Sequence, residues 1–218
     1  MQSQPSPTIE DYLSLLFVLE RDNEPVVGAR LAELLGVKPP TVTNTLKRMS
    51  RHGLVALDNP QGPRLTSSGL QAARTVMRRH MLAEWMLVRL LSWSKAHEHA
   101  HQMEHAISDE LEAALVKEWN DPRTCPHGNP MPGHESVVAD WVPLAAVPAG
   151  QSVTIRRVHE LAEETPGLLA FLEEKGILPG CTAIVQEVLP FNQTITLRVE
   201  DREVSLGFPT ARYLFVEL

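Results

Sequence analysis

The sequence VVGARLAELLGVKPPTVTNTLKRMSRHG occupies residues 26–53. Its apolar residues recur at helical spacing and predict one helix over Val27–Leu35, which Gly36 ends. A second helix begins near Pro39, because proline suits the first turn of a helix, and ends before Gly53. Two short helices joined by a tight, glycine-containing turn form a helix-turn-helix.

The flanking segments complete a winged helix. The apolar run Tyr12–Leu19 predicts a helix before the pair, and Thr8 with Asp11 three residues later resembles a capping box. After the pair, Leu54–Leu57 and Arg64–Thr66 predict two strands joined by a turn rich in Pro, Gly, Asn and Asp. This hairpin is the predicted wing.

The charge of the chain is unevenly distributed. The formal net charge of −7 argues against a nucleic-acid partner, yet residues 26–80 hold nine Lys and Arg against two acidic residues. That segment therefore carries +7 and the remainder −14. Because proteins bind DNA by neutralising phosphates with Lys and Arg, a basic module in an acidic chain indicates a localised anionic partner.

The predicted second helix offers side chains suited to double-stranded DNA. In a helix-turn-helix this helix lies in the major groove, and its N-terminal residues contact base edges. Asn can pair with adenine and Thr can contact a thymine methyl group, whereas Lys and Arg contact phosphates. A solvated face in a winged helix that binds protein is the alternative, and the basic charge favours DNA. The predicted DNA-binding residues are Lys38, Pro40, Thr41, Thr43, Asn44, Lys47, Arg48 and, on the wing, Arg64.

Two longer helical stretches follow the wing. Ser67 or Ser68 is a candidate cap for a helix that runs to about Leu91, and Ser94 for another that runs to about Trp119. Together they predict a helical dimerisation or sensing domain.

The last part of the chain changes character. Residues 121–150 contain six prolines, which predicts an irregular connector. Beyond it, short alternating segments surround one helix, Leu168–Lys175, and predict a small β-barrel. The predicted fold class is multi-domain α+β. The predicted domains are a winged helix-turn-helix at 1–72, a helical dimerisation and metal-binding domain with a Pro-rich connector at 73–145, and the barrel at 146–218.

Histidine and glutamate are concentrated in the two helical stretches that follow the wing. Five of the nine histidines fall between residues 80 and 105. His80 and Glu84 are one helical turn apart, and a continuous helix after Ser94 would place four further potential ligands on one narrow face. Those four are His97, His101, Glu104 and His105. Imidazole with carboxylate suits first-row divalent metals, whereas a water-exposed polar face is the usual alternative for a single histidine.

The two cysteines and the apolar runs bear on the compartment. Cys125 and Cys181 lie far apart and form no CxxC pair, so we expect a reducing, cytoplasmic setting rather than a disulfide framework. No run approaches the length that crosses a bilayer, so we expect no membrane partner.

These residues together resemble the diphtheria-toxin-repressor family, DtxR/MntR, in the long form with a FeoA-like C-terminal domain. The resemblance covers nearly the whole chain and implies that the C-terminal barrel is SH3-like. It is carried by four motifs: Glu-Asp-Tyr-Leu at 10–13, Pro-Thr-Val at 40–42, Glu-His-x-x-Ser-Asp-Glu at 104–110 and Cys-Pro-His-Gly-Asn-Pro at 125–130.

The resemblance implies two metal sites. The first would take Asp11, which local sequence alone also explains as a capping acid, together with His101, Glu104 and His105. The second would take His80, either with Glu84 and His97 or with Cys125 and His127. A further ligand would come from the C-terminal domain: Glu160, Glu163 or Glu164.

The identity of the metal follows less directly. Relatives usually carry Cys or Glu where this chain has His101, and the hard ligand Asp11 favours Mn²⁺ over Fe²⁺. The resemblance implies a homodimeric repressor that binds operator DNA when loaded with metal and controls metal-homeostasis genes, and not an enzyme. The alternatives are a winged-helix regulator that senses an organic ligand and a metalloenzyme.

Overall fold

A computed structural model describes residues 5–218, so the first four residues of the predicted domain 1–72 lie outside the description. The described chain forms two compact units. One comprises the residues up to His80 together with Glu104–Ile107, and the other comprises Met81–Met103 and Ser108–Leu218. None of the helices between residues 5 and 218 is both long enough and apolar enough to cross a membrane.

The first unit contains the predicted winged helix. Its elements are α1 (Pro7–Arg21), α2 (Gly28–Leu34), α3 (Pro39–Arg51), β1 (Val55–Ala56) and β2 (Arg64–Leu65). The two strands pair antiparallel and form the wing. The capping-box prediction at Thr8 is wrong, because α1 begins one residue earlier and its N-cap is Ser6, which makes no side-chain capping bond.

The long helix after the wing, α4, spans Ser67–Leu87. Its cap is neither of the predicted serines, because the Gly69 amide donates to Thr66 Oγ1 at 3.1 Å. Thr66 Oγ1 also donates to the carbonyl of Gly53 at 2.6 Å, which joins the start of α4 to the end of α3. Gly69 has no room for a side chain, since a Cβ there would lie 1.9 Å from the Leu54 carbonyl oxygen.

The predicted continuous helix from Ser94 to Trp119 is wrong. The chain forms α5 (Trp93–Met103), a short 3-10 helix (Glu104–Ala106) and then α6 (Asp109–Glu118). Ser108 is the reason for the restart, because its side chain accepts from the Leu111 amide at 3.2 Å and acidic residues fill the first turn of α6.

The C-terminal domain is an antiparallel sheet with short helices. Its strands are β3 (Val142–Pro143), β4 (Ser152–Val158), β5 (Thr182–Leu189), β6 (Thr194–Val199), β7 (Arg202–Gly207) and β8 (Leu214–Glu217). They pair in the order β3-β8-β4-β5-β6-β7 and form a six-stranded sheet whose edge strands, β3 and β7, do not pair with each other. Three helices accompany it: α7 (Glu160–Glu163), α8 (Leu168–Glu174) and α9 (Phe208–Ala211). The α+β class with a small β-rich C-terminal domain is confirmed.

The connector signature at 125–130 packs tightly against β4. The Val158 amide donates to the carbonyl of His127 at 2.8 Å. Gly128 has a φ of +90°, and a Cβ on it would lie 1.9 Å from the Arg156 carbonyl oxygen. This close approach requires glycine. The connector therefore delivers Cys125, His127 and Asn129 to a fixed position beside the C-terminal domain.

Candidate metal centres and DNA-binding surface

The first unit holds a cluster of acidic residues and histidine, which we call the first cluster: Glu10, Asp11, His80, Glu104 and His105. Asp11, Glu104 and His105 each offer a donor atom within 4.8 Å of the others. Helix α1 supplies Asp11, and the 3-10 helix supplies the other two. Three such donors fit one divalent ion, and they bring α1 of the winged helix together with the segment 104–107.

The contacts inside the first cluster are short. His105 Nδ1 lies 2.5 Å from Glu10 Oε2, and its Nε2 lies 3.5 Å from Asp11 Oδ1. His80 Nδ1 lies 2.6 Å from Glu104 Oε2. Glu104 and Glu10 are almost fully buried. Carboxylates held in a low-dielectric setting are costly unless cations or protons accompany them, so the cluster favours a bound cation.

Sequence reasoning did not single out Glu10. It stands next to Asp11 in the Glu-Asp-Tyr-Leu motif, and neighbouring residues on a helix normally point in different directions. Its position on the apolar face of α1 could have identified it, because Glu10 is buried together with Ile9 and Leu13.

The second unit holds another set of donors, the second cluster: Glu84, His97, Cys125, His127, Glu163 and Glu164. Glu84, Cys125 and His127 have donor atoms within 4.8 Å of one another, and all three are buried. His97 Nδ1 lies 3.0 Å from Glu84 Oε1 and 2.8 Å from Glu163 Oε2. His127 Nδ1 lies 3.2 Å from the same oxygen of Glu84. The two alternative histidine sets of the sequence analysis thus meet at one carboxylate.

A backbone contact fixes the orientation of the His127 ring. Its Nε2 lies 3.1 Å from the carbonyl oxygen of Trp93, which can only accept, so Nε2 carries the hydrogen. Nδ1 is then the nitrogen available to an ion. Among residues 5–218, no group forms a geometrically adequate hydrogen bond with this buried Nδ1, although Glu84 lies close to it. A backbone partner on the opposite nitrogen is the usual way of orienting a metal-binding histidine.

The pKa shifts of the histidines indicate that the second cluster favours bound positive charge. Burial alone would lower the pKa of His97, but the negative charge of Glu163 and hydrogen bonds with Glu163, Glu164 and Glu84 raise it well above its ordinary value. Burial lowers the pKa of His127, but the negative charges of Glu84 and Glu163 outweigh this effect, so its pKa is also raised. Burial, reinforced by Glu84, raises the pKa of the Cys125 thiol. A divalent cation would replace the protons that these carboxylates attract.

The three C-terminal candidates differ in what they contact. Glu163 is buried and touches His97 Nδ1, whereas Glu164 is largely exposed and lies 3.0 Å from His97 Nε2. Glu160 pairs with Arg157 at 2.9 Å. Of the three, Glu163 alone combines burial with contacts on both cluster histidines. It is the best-placed ligand from the C-terminal domain.

His101 lies on α5 with an exposed side chain and lines a cavity of about 460 Å³ together with His97 and Glu164. Because α5 ends at Met103, the inference that four ligands share one continuous helical face is wrong. The assignment of His101 to the first site stays a prediction, as does that of His80 to the second.

The exposed face of α3 matches the predicted DNA-binding residues. Lys38, Pro40, Thr41, Thr43, Asn44, Lys47 and Arg48 are all exposed. The apolar side of the helix, including Val42, Leu46 and Met49, is buried against the rest of the first unit. On the wing, the Arg64 guanidinium donates to Gln61 Oε1 at 3.1 Å. The basic face is therefore available to a partner, and its individual base and phosphate contacts stay predictions.

Comparisons with known proteins divide the chain in three. Residues 5–62 match the family model "Iron dependent repressor, N-terminal DNA binding domain". Residues 66–133 match "Iron dependent repressor, metal binding and dimerisation domain", and residues 142–218 match the FeoA domain.

Two curated relatives match over almost their whole length. The diphtheria toxin repressor of Corynebacterium diphtheriae is 41% identical over 221 residues, which cover 96% of this chain and 96% of that protein. The iron-dependent repressor IdeR of Mycobacterium tuberculosis is 34% identical over 212 residues, which cover 87% of this chain and 92% of that protein.

Solved structures share the fold. A manganese-dependent transcriptional repressor in complex with manganese has a TM-score of 0.82 at 28% identity, over 96% of this chain and 99% of that one. ScaR with bound Zn²⁺ has a TM-score of 0.80 at 29% identity, over 98% and 99%. The resemblance inferred from the sequence motifs is confirmed. This chain belongs to the iron-dependent repressor family, which includes the diphtheria toxin repressor.

Proposed function

We propose that this chain is a transcriptional repressor that binds operator DNA as a homodimer when it is loaded with Mn²⁺ or Fe²⁺ and thereby controls metal-homeostasis genes. The observation that carries the proposal is the place of the first cluster. Asp11 belongs to α1 of the winged helix, whereas Glu104 and His105 come from the 3-10 helix that follows α5. An ion held by these residues would tie the DNA-reading module to that segment.

The linkage between metal and DNA follows from this tie. A bound ion would favour one arrangement of the winged helix relative to the rest of its chain, and operator DNA would favour the arrangement that fits its half-sites. By thermodynamic reciprocity, each ligand then raises the affinity for the other. The relatives are named iron-dependent and manganese-dependent repressors, and they argue against the metalloenzyme alternative.

The homodimer is supported by an apolar surface on the second unit. Met103 at the end of α5 and Leu111 on α6 are 36% and 41% exposed. Ala113 and Ala114 beside them are exposed as well. Large apolar side chains exposed on helices are typical of a protein interface. The matching family model is described as a dimerisation domain.

The donor sets support a division of roles between the two clusters. The first cluster offers only carboxylate oxygen and imidazole nitrogen, which suit Mn²⁺ and Fe²⁺, whereas the second adds a thiol. We assign Asp11, Glu104 and His105 to the first ion. We assign Glu84, His97, Cys125, His127 and Glu163 to the second.

Because a DNA-binding repressor acts at the chromosome, we also propose a cytoplasmic location.

The test is a DNA-shift titration of the full chain, with its operator selected from random duplexes, in chelator and in Mn²⁺ or Fe²⁺. We expect metal to tighten operator binding by about 5- to 150-fold, the usual range of allosteric coupling. Glu104→Gln should abolish most of this gain, and Glu187→Gln, at an exposed position on β5, should keep it. Equal affinity with and without metal would overturn the proposal, and metal-free protein after reconstitution would favour a sensor of organic ligands.

A further inference from the structure

A chain of buried polar side chains leads from the core of the C-terminal domain to the second cluster. It starts at Arg157 on β4, which is 1% exposed. The guanidinium donates from Nε to Asn129 Oδ1 at 2.6 Å and from a terminal nitrogen to Glu160 Oε2 at 2.9 Å, and it lies over the Phe215 ring at 4.9 Å. Several partners compensate the burial of this cation, so the guanidinium is held in one place.

Asn129 is the next link and is completely buried. Because its oxygen accepts from Arg157, its amide nitrogen must face the other way. There it donates to the Val158 carbonyl at 2.8 Å and to Glu163 Oε1 at 2.5 Å. The donor from Arg157 and the acceptor at Val158 together leave one orientation of the amide.

Glu163 is the last link, and its two oxygens do different things. Oε1 is held by Asn129, whereas Oε2 lies 2.8 Å from His97 Nδ1. A hydrogen bond from an amide to a carboxylate is charge-assisted and therefore stronger than one between neutral groups. The carboxylate thus presents Oε2 to His97, while Oε1, held by Asn129, lies 3.9 Å from His127 Nδ1.

We propose that Asn129 and Arg157 are positioning residues for the second metal ion. They hold Glu163 so that the C-terminal domain completes the donor set that α4, α5 and the connector begin. The inference rests on the proposed function in taking the second cluster as a metal site. It goes beyond that function because neither residue contacts the ion itself. It also gives the Cys-Pro-His-Gly-Asn-Pro motif a task for each polar residue: Cys125 and His127 face the ion, and Asn129 places a ligand.

The test is Co²⁺ titration of the full chain, followed by the cobalt-thiolate charge-transfer absorption. This band reports only on the second cluster, because Cys125 lies there and the first cluster contains no cysteine. Cys125→Ser should therefore remove the band. Asn129→Asp keeps an acceptor for Arg157 but loses the donor and sets a negative charge against Glu163. We expect it to weaken Co²⁺ binding about 10- to 100-fold, as is usual when a residue that orients a metal ligand is changed. Asn192→Asp, on the exposed β5–β6 turn, should change it by less than about twofold.

Coupling to Glu163 separates positioning from general support of the fold. In a Glu163→Gln background, Asn129→Asp should change Co²⁺ affinity by less than about twofold, because the carboxylate that it positions is gone. Equal losses in both backgrounds would overturn the proposal. An unchanged affinity in Glu163→Gln alone would also overturn it, while leaving metal-dependent DNA binding through the first cluster intact. If Asn129→Asp does not fold, Asn129→Ser in the same two backgrounds gives the same comparison without the added charge.

Discussion

At the scale of single residues, His97 shows how the protein prepares for a cation. Carboxylate oxygens face both of its ring nitrogens: Glu84 and Glu163 on Nδ1, and Glu164 on Nε2. An imidazolium can donate to both sides at once, whereas a metal-bound imidazole donates from one side only. The carboxylates therefore hold a proton on the ring in the absence of metal, and metal binding must release it.

We expect the Co²⁺ affinity of the second cluster to increase as pH rises above about 6.5, the ordinary pKa of histidine. The raised pKa values of His97 and His127 mean that protons compete with the ion through neutral pH and lose as pH increases. Titrations followed by the cobalt-thiolate band at a series of pH values measure this. An affinity that stayed level with pH would contradict the expected proton release.

The sign reverses for stability without metal. Because the pKa of His97 is raised by folding, its contribution to the free energy of unfolding is complete below the unfolded pKa and is lost as pH rises through the folded pKa. Urea unfolding in chelator should therefore show stability falling over that window. His97→Ala should flatten the slope, and His99→Ala, an exposed neighbour on α5, should leave it unchanged.

At the scale of elements, the start of each helix determines where the functional residues lie. Ser108 begins α6 and so leaves Glu104 and His105 in a separate 3-10 helix. Thr66 begins α4 and simultaneously bonds to the Gly53 carbonyl at the end of α3. Helix α3 is thus fixed to α4, the helix that carries the candidate metal ligands His80 and Glu84.

Thr66→Ala should lower the free energy of unfolding by about 1 kcal/mol, the usual loss when a capping side chain is removed. Ser67→Ala is the matched control and should cost much less, because Thr66 supplies the capping oxygen. Urea unfolding of the metal-free chain measures both. The reverse order of the two losses would restore Ser67 as the cap.

Helix starts also mark the limit of what the sequence could predict. Periodicity located α2, α3 and most strands, and the motifs singled out Asp11, Glu104, His105, Cys125 and His127, whose donor atoms lie in the two clusters. The local pattern could not reveal the break between α5 and α6, because the apolar residues after Ser94 keep nearly the same helical spacing on both sides of it. Nor could it select Glu163 among three nearby glutamates, since that selection depends on Asn129, 34 residues away in the chain.

At the scale of the whole molecule, the basic charge and the exposed apolar residues lie in different parts of the chain. The basic segment 26–80 carries +7 against −14 for the remainder, so DNA is attracted to one module and repelled by the rest. The exposed apolar side chains of Met103 and Leu111 lie in the acidic part of the chain. Dimerisation through them would bring two basic modules to one duplex.

Leu111→Glu should shift the chain from dimer toward monomer and weaken operator binding, because it places a charge in the apolar surface. Sedimentation velocity measures the first effect and DNA-shift titration the second. Leu218→Glu, at a position that is 74% exposed, should leave both unchanged. A Leu111→Glu protein that remained dimeric would place the interface elsewhere.

The position of the two clusters along the chain also sets an order in time. All residues of the first cluster have been synthesised once Glu104 and His105 emerge, whereas the second waits for Glu163 and for the strand β4 against which Asn129 packs. At about 5–20 residues per second, the 58 residues from His105 to Glu163 take about 3–12 s to translate. A nascent chain therefore carries a complete first cluster before it can assemble the second, so an ion proposed for the first cluster has the earlier opportunity to bind.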